Sequence, residues 1–266
     1  MSDQLKLSRV ARLNAFLRAV AAAPQSVLML DYDGTLAGFR VDRFKARPWA
    51  GVSELLTLIQ SQGKTRLAIV TGRPPEEIQP MLQLDQPVEV WGLHGAKRLY
   101  PDGRSELEDA PRAARKALDA MRALLSRDAL GGLYEDKPNA AVMHWRGLSP
   151  RQAKAVEAST RALFQPLSKL PGLALLEFEA GLELRAGRDK GGAVRAILRE
   201  SPKNVPAAYL GDDWTDEAAF EAVKAWRGPH FTALVKPDRR KTAADVWLKP
   251  PHDLRAFLTQ WACALQ

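Results

Sequence analysis

The chain has 266 residues, 46% hydrophobic and 26% charged, with 39 Lys and Arg against 31 Asp and Glu for a net charge of +8. That length and composition support a folded protein with a full core and exclude a low-complexity, repetitive or fibrous chain. The basic residues are scattered, with the densest cluster at Arg239–Lys241, so neither a nucleic-acid footprint nor a membrane span is expected.

In chain order, the N-terminal "LKLSRVARLNAFLRAVAAA" reads as a basic amphipathic helix interrupted by arginines. It lacks the continuous apolar stretch of a signal peptide and is expected on the surface of the fold rather than in a membrane. Short apolar runs follow at 26–30, 66–70, 88–93, 207–211 and 230–235, with helix candidates near 50–62, 75–84, 190–200 and 214–225. This alternation predicts a parallel α/β sheet covered by helices on both faces.

Residues 103–186 break the rhythm. The helix pattern "PRAARKALDAMRALL", the alternating "GLYEDKPNAAVMHWRG", a further helix near 150–166, and "LALLEF" and "LELRA" about a tight turn predict an antiparallel α+β unit. The expected organisation is a core of 1–102 with 187–266 and an inserted domain at 103–186. Two linkers, near 102–104 and 185–187, predict closure of the insertion during the reaction. The single cysteine, Cys263, lies in an apolar pattern and is expected as a packed thiol, in keeping with a reducing, cytoplasmic setting.

In a parallel sheet, ligands gather at the carboxyl ends of the strands. Three polar clusters fall there: "DYDGT" after the first run, "TGRP" after the second and "GDDWTDE" after "AAYL", while "RDKGGAVRAIL" sets Lys190 at a helix start. Singly, these read as a turn, a strand exit and a helix cap. Jointly, they bring Asp31, Asp33, Thr71, Asp212, Asp213 and Asp216 together. Crowded carboxylates repel unless a cation holds them, and an all-oxygen set suits Mg2+.

If Asp31 is a nucleophile, its carboxylate attacks an electrophile to give an acyl-type intermediate. Asp33, two residues on in an extended chain, points the same way and suits proton transfer to the leaving oxygen and then from water. Gly34 lets the backbone turn close to a ligand, Thr71 offers a hydroxyl, and Lys190 offsets negative charge. Gly72 and Arg73, next to Thr71 in "TGRP", are expected on the substrate.

With these residues in place, "DYDGT", "TGR", Lys190 and "GDDWTDE" resemble the four motifs of the haloacid dehalogenase superfamily, in order. The resemblance implies a Rossmann-like core with an inserted cap. It also implies Asp31 as nucleophile, Asp33 as acid/base, Thr71 and Lys190 as phosphoryl ligands, and Mg2+ held by Asp31, Asp212 and the main-chain carbonyl of Asp33. Asp213 and Asp216 are implied as supporting acids.

Within that superfamily the chain is similar to the trehalose-6-phosphate phosphatases. The likeness rests on "GLHGA" at 92–96, "EDK" at 135–137, "HWR" at 144–146 and "GLELRAGRDKGGAV" at 181–194, and covers about residues 26 to 249. It implies a small sugar phosphate as partner, with no obligate protein partner. Lys97, Pro138, Asn139 and Ala186 depart from the family pattern and leave another sugar phosphate as the alternative substrate.

Glu135 with Lys137, and Glu183 with Arg185, are same-face pairs suited either to a polyhydroxylated ligand or to a solvated sheet face. His94 suits either the substrate or the cap of a turn. Trp91, Trp145 and Trp247 are expected in the core or an interface, and Trp214 there or on the pocket wall. A phosphoaccepting signalling module fits less well, since it needs neither an acid/base two residues after the nucleophile nor an inserted domain.

Overall fold

The run Ser26–Leu30 is buried along its whole length, as a central parallel strand must be. It is the axis of the protein's larger part. The computed structural model describes residues 3–40, 42–125, 132–178 and 180–266. It divides into two compact units, Met1–Leu107 with Asp189–Gln266, and Glu108–Arg188.

The larger unit begins with α1 (Asp3–Ala22), β1 (Ser26–Leu30), α2 (Val52–Ser61), β2 (Thr65–Val70), α3 (Pro75–Leu82), β3 (Glu89–Gly92), β4 (Lys97–Leu99) and β5 (Ser105–Leu107). The smaller unit supplies α4 (Arg112–Leu125), β6 (Tyr134–Lys137), β7 (Ala140–His144), α5 (Pro150–Leu167), β8 (Leu173–Phe178) and β9 (Gly181–Ala186). The chain returns through α6 (Lys190–Glu200), β10 (Ala207–Gly211), α7 (Glu217–Lys224), β11 (His230–Val235), β12 (Val246–Leu248) and α8 (His252–Ala264).

The larger sheet runs β12-β11-β10-β1-β2-β3-β4-β5, parallel as far as β3 and antiparallel beyond it. Alternation along β1 feeds two cores. Leu28 and Leu30 face a layer with Leu56, Phe257 and Trp261, while Val27 and Met29 face one with Ile197, Tyr209 and Phe220. The β4–β5 hairpin and β12 were not anticipated, because three-residue strands such as "KRL" and "SEL" carry no usable apolar period.

Phe16 of α1 stacks on Phe231 and tilts against Trp261, so one face of this helix belongs to the core. Among the described residues no helix is long and apolar enough to cross a membrane. Cys263 differs from its expectation: it is exposed on α8, because its neighbours Trp261 and Ala262 take the buried face of that helix.

The smaller unit is a four-stranded antiparallel sheet, β6-β7-β9-β8. Met143, Leu182 and Leu184 form its core with Leu118 and Met121 of α4 and Phe164 of α5.

Candidate active site

Strand pairing runs one residue past β1, since the Asp31 amide donates to Leu210 O at 2.9 Å. Alternation then turns Tyr32 into the core, where its hydroxyl donates to Ala46 O at 2.7 Å, and leaves Asp31 and Asp33 on the other side. The chain turns at Gly34, whose φ of +83° favours glycine. A Cβ there would lie 2.2 Å from Asp212 Oδ2, so Gly34 also allows the close approach of two motifs. "DGT" is therefore a turn but no hairpin: the Leu36 and Ala37 amides both donate to Tyr32 O.

Lys190 reaches the same point from the opposite part of the chain. Asp189 caps α6 by accepting from the Gly192 amide at 2.6 Å. The buried Lys190 ammonium then donates to Asp31 Oδ1 at 2.7 Å and Asp216 Oδ1 at 2.8 Å. Thr35 Oγ1 donates to Asp31 Oδ2 at 3.3 Å.

Asp216 is saturated. Its Oδ1 also accepts from the Tyr209 hydroxyl at 2.6 Å, and its Oδ2 accepts from the amides of Asp212 at 3.0 Å and Asp213 at 2.9 Å. This capping is why Trp214–Asp216 forms a 3-10 turn and α7 starts only at Glu217. Asp216 thus fixes Lys190 and the motif backbone, and its lone pairs are spent.

Burial pushes the Asp31 carboxyl up to about 7, with Lys190 pulling down and Asp216 pushing up. Burial, then Asp31 and Asp216, push Asp212 up to about 9. Burial acts to lower Lys190, yet Asp216 and Asp31 outweigh it and hold the ammonium above the ordinary lysine range. One lysine among three buried carboxylates leaves a net negative site.

Carboxylate oxygens of Asp31, Asp212 and Asp216 lie within 4.8 Å of one another. An all-oxygen set suits a hard cation. With Asp216 spent, Asp31 and Asp212 are the side chains that fit it.

Thr71 follows β2, its amide donating to Trp91 O at 2.9 Å. Its hydroxyl oxygen accepts from the Arg73 amide at 3.2 Å, which leaves the hydroxyl proton for another acceptor. Arg73 turns toward β1: Nε donates to Asp33 Oδ2 and Nη2 to Asp33 Oδ1, both at 2.6 Å. Gly72 is glycine because a Cβ would sit 2.8 Å from His94 Nε2.

Leu93, His94 and Gly95 all have positive φ, at 51°, 58° and 100°. Bonds from Leu93 N to Arg73 O and from His94 N to Thr71 O fasten this strained run to "TGRP". The His94 ring therefore lies over Gly72 while its backbone closes the turn.

Four residues at this site escaped the sequence reading: Thr35, Tyr209, Lys236 and Arg240. Lys236 follows β11 and its ammonium is 3.8 Å from Asp212 Oδ2; the strand-end rule that found Asp31 and Asp212 would also have found it. Arg240 donates to Asp213 O at 2.7 Å, pairs with Glu217 and stacks 4.4 Å from the Trp214 ring. Trp214 is 65% exposed and belongs to no core.

In the smaller unit, Leu182 and Leu184 face the core, and Glu183 and Arg185 take the other face of β9. Lys137 Nζ lies 3.1 Å from Glu183 Oε2, and His144 Nε2 lies 2.9 Å from Glu135 Oε2. The sequence departures have local partners. The Asn139 side chain donates to Ala186 O at 3.3 Å while Asn139 O accepts from the Ala186 amide at 2.8 Å; in the larger unit, Lys97 pairs with Glu76.

The family model described as Trehalose-phosphatase matches residues 29–249. The chain is 30% identical to the trehalose-phosphate phosphatase of Mycobacterium ulcerans, over 91% of its own length and 63% of the relative's. It is 29% identical to an uncharacterised glycosyl hydrolase of Mycobacterium tuberculosis, over 94% of its length and 19% of the relative's. It thus spans less than two thirds of either relative.

The C-terminal domain of the Candida albicans trehalose-6-phosphate phosphatase superposes with a TM-score of 0.73 at 21% identity, over 94% of this chain and 96% of that one. A haloacid dehalogenase-like hydrolase from Bacillus subtilis superposes at 0.61 with 15% identity, over 88% and 99%. Both show the fold. By the extent of the family match, the chain belongs to the trehalose-phosphatase family.

Proposed function

We propose that this protein is a Mg2+-dependent phosphatase that hydrolyses trehalose 6-phosphate to trehalose and phosphate. The observation that carries the reading is the Asp31 carboxylate at the end of the central strand, bound by the buried Lys190 ammonium at 2.7 Å. Asp31 and Asp212, with the Asp33 main-chain carbonyl, would hold the Mg2+. When bound, the ion offsets the clustered negative charge and polarises the phosphoryl group.

The residues divide the reaction into two displacements. Asp31 attacks phosphorus; the bond from phosphorus to the sugar oxygen breaks, and that oxygen takes a proton from the Asp33 carboxyl, releasing trehalose and leaving an aspartyl phosphate. Asp33, now a carboxylate, takes a proton from water; the water oxygen bonds to phosphorus, and Asp31 departs as a carboxylate with phosphate. Lys190 keeps Asp31 oriented and offsets the charge of the approaching phosphate dianion. The Thr71 hydroxyl donates to a phosphoryl oxygen. Glu135, Lys137 and Glu183, on the polar strand faces of the smaller unit, select the sugar, and His94, whose ring stands against Gly72, contacts the substrate.

A cytoplasmic setting accompanies this reading, supported by the single cysteine. The test is phosphate release from a panel of sugar phosphates with Mg2+ and with chelator, for the wild type and Asp31→Asn. Release selective for trehalose 6-phosphate, abolished by chelator and by Asp31→Asn, is expected. Preference for another sugar phosphate would retain the mechanism and replace the substrate. Single-turnover consumption of a phosphodonor without sugar-phosphate hydrolysis would favour a phosphoaccepting module.

A further inference from the structure

The sequence assigns Arg73 to the substrate by its position in "TGRP", yet the fold spends its guanidinium elsewhere. Nε and Nη2 donate to the two oxygens of Asp33, both at 2.6 Å. The third nitrogen, Nη1, faces Met81 Sδ at 3.6 Å and Glu77 Oε2 at 3.6 Å. All three nitrogens are therefore accounted for without a ligand, and the Arg73 side chain is only 8% exposed.

The surroundings make this a built arrangement. Glu77, in α3 and four residues after Arg73, is itself paired with Arg43. The Tyr32 ring lies 5.6 Å beneath the guanidinium and is anchored through its hydroxyl to Ala46 O. Leu93 N donates to Arg73 O, tying the backbone of Arg73 to the strained run after β3. A guanidinium held on four sides presents a rigid planar fork, and such a fork sets the plane of the carboxylate it grips.

We propose that Arg73 is a positioning residue, which fixes the plane of the Asp33 carboxyl for proton transfer to and from the reacting oxygen, and is not a phosphate ligand. The inference rests on the proposed role of Asp33 as acid/base. Proton transfer by a placed side chain is worth about 10²- to 10⁴-fold and misplacement by about 1 Å costs about 10²-fold. The loss should therefore appear in the step that needs Asp33, most of all when the leaving oxygen is a strongly basic sugar alkoxide. A nitrophenolate leaves without that proton.

The experiment compares the wild type with Arg73→Lys and Arg73→Gln on trehalose 6-phosphate and on p-nitrophenyl phosphate, both with Mg2+. Binding of inorganic phosphate is followed by calorimetry and folding by thermal melting. Arg73→Lys retains the stem and charge but not the fork, which guards against a variant that fails to fold. Expected in both variants is a fall in kcat of about ten- to a hundredfold on the sugar ester, with KM and phosphate affinity within about twofold and a much smaller loss in the first-turnover release of nitrophenolate, the step that needs no proton from Asp33.

A raised KM with weakened phosphate binding and equal loss on both esters would overturn the proposal and return Arg73 to the substrate. Full rescue by Arg73→Lys would overturn the fork, leaving only the charge. If the wild type prefers another sugar phosphate, the same comparison runs on that ester, so a wrong substrate does not decide the case. A wild type that hydrolyses no ester overturns both readings.

Discussion

The Lys190 ammonium and the Asp31 carboxylate meet at 2.7 Å although they stand 159 residues apart, and both are buried. Breaking a buried pair by removing one partner leaves an uncompensated charge, at about 3 to 5 kcal/mol. Lys190→Met should therefore lose that order of stability in urea as well as the proposed phosphatase activity. Adding Asp216→Asn should restore part of the stability and none of the activity. Unchanged unfolding of Lys190→Met would show that the lysine is not what offsets these acids.

Gly34→Ala tests the closeness of the two acidic motifs. The added methyl would meet Asp212 Oδ2 at 2.2 Å, and the residue needs φ +83°. Strain of this kind costs about 1 to 3 kcal/mol, and Asp212 must shift to admit the methyl. Thermal melting with and without Mg2+ should give a clear rise for the wild type and a much smaller one for Gly34→Ala. An equal rise in both would separate Gly34 from the cation site.

Glu200 gives a pH dependence independent of that site. Burial acts to raise its carboxyl, but hydrogen bonds from Arg98 and Arg66 outweigh it and hold the group below its ordinary value of 4.5. A depressed carboxylate stabilises the fold above its unfolded-state value, and that stability is lost as pH falls through the folded-state value. The stability gap between wild type and Glu200→Gln should be present near about pH 7 and close below about pH 4. Urea midpoints at both ends check it; a gap that widens on acidification would reverse the sign and refute the assignment.

Glu183→Ala should separate sugar recognition from phosphoryl chemistry. The residue pairs with Lys137 on the polar face of β9, and a buried polar group left unpaired discriminates strongly between ligands. Expected is a fall in kcat/KM of about tenfold or more on the sugar ester with a small effect on p-nitrophenyl phosphate. Equal losses on both would place Glu183 in the support of the fold.

The parallel core was legible because its strands announce themselves. "SVLML", "AAYLG" and "HFTALV" are mostly apolar and almost wholly buried, as suits strands covered on both faces, and each was bounded as the structure has it. Asp31, Thr71 and Asp212 followed from a rule about strand ends, and Lys190 from a helix start. What escaped was set by partners remote in sequence. Nothing local marks Tyr209 as a donor to Asp216, since it is one of several buried residues in its strand. Arg73 was read from its motif neighbour Thr71, whereas its fork is spent on Asp33 across the sheet.

The interruption of the larger sheet by the smaller unit bears on synthesis. β1 is flanked by β2 and β10, and the whole of residues 108–188 lies between the first of these partners and the second. On the ribosome, a nascent chain can finish the contiguous smaller unit while β1 still shows one unpaired edge. Synthesis of Ala207–Gly211 closes that edge, and the segment that completes the sheet then carries Asp212 to Asp31. Asp31 and Asp212 therefore come together only late in translation, and a chain terminated before Ala207 would lack the buried carboxylate cluster.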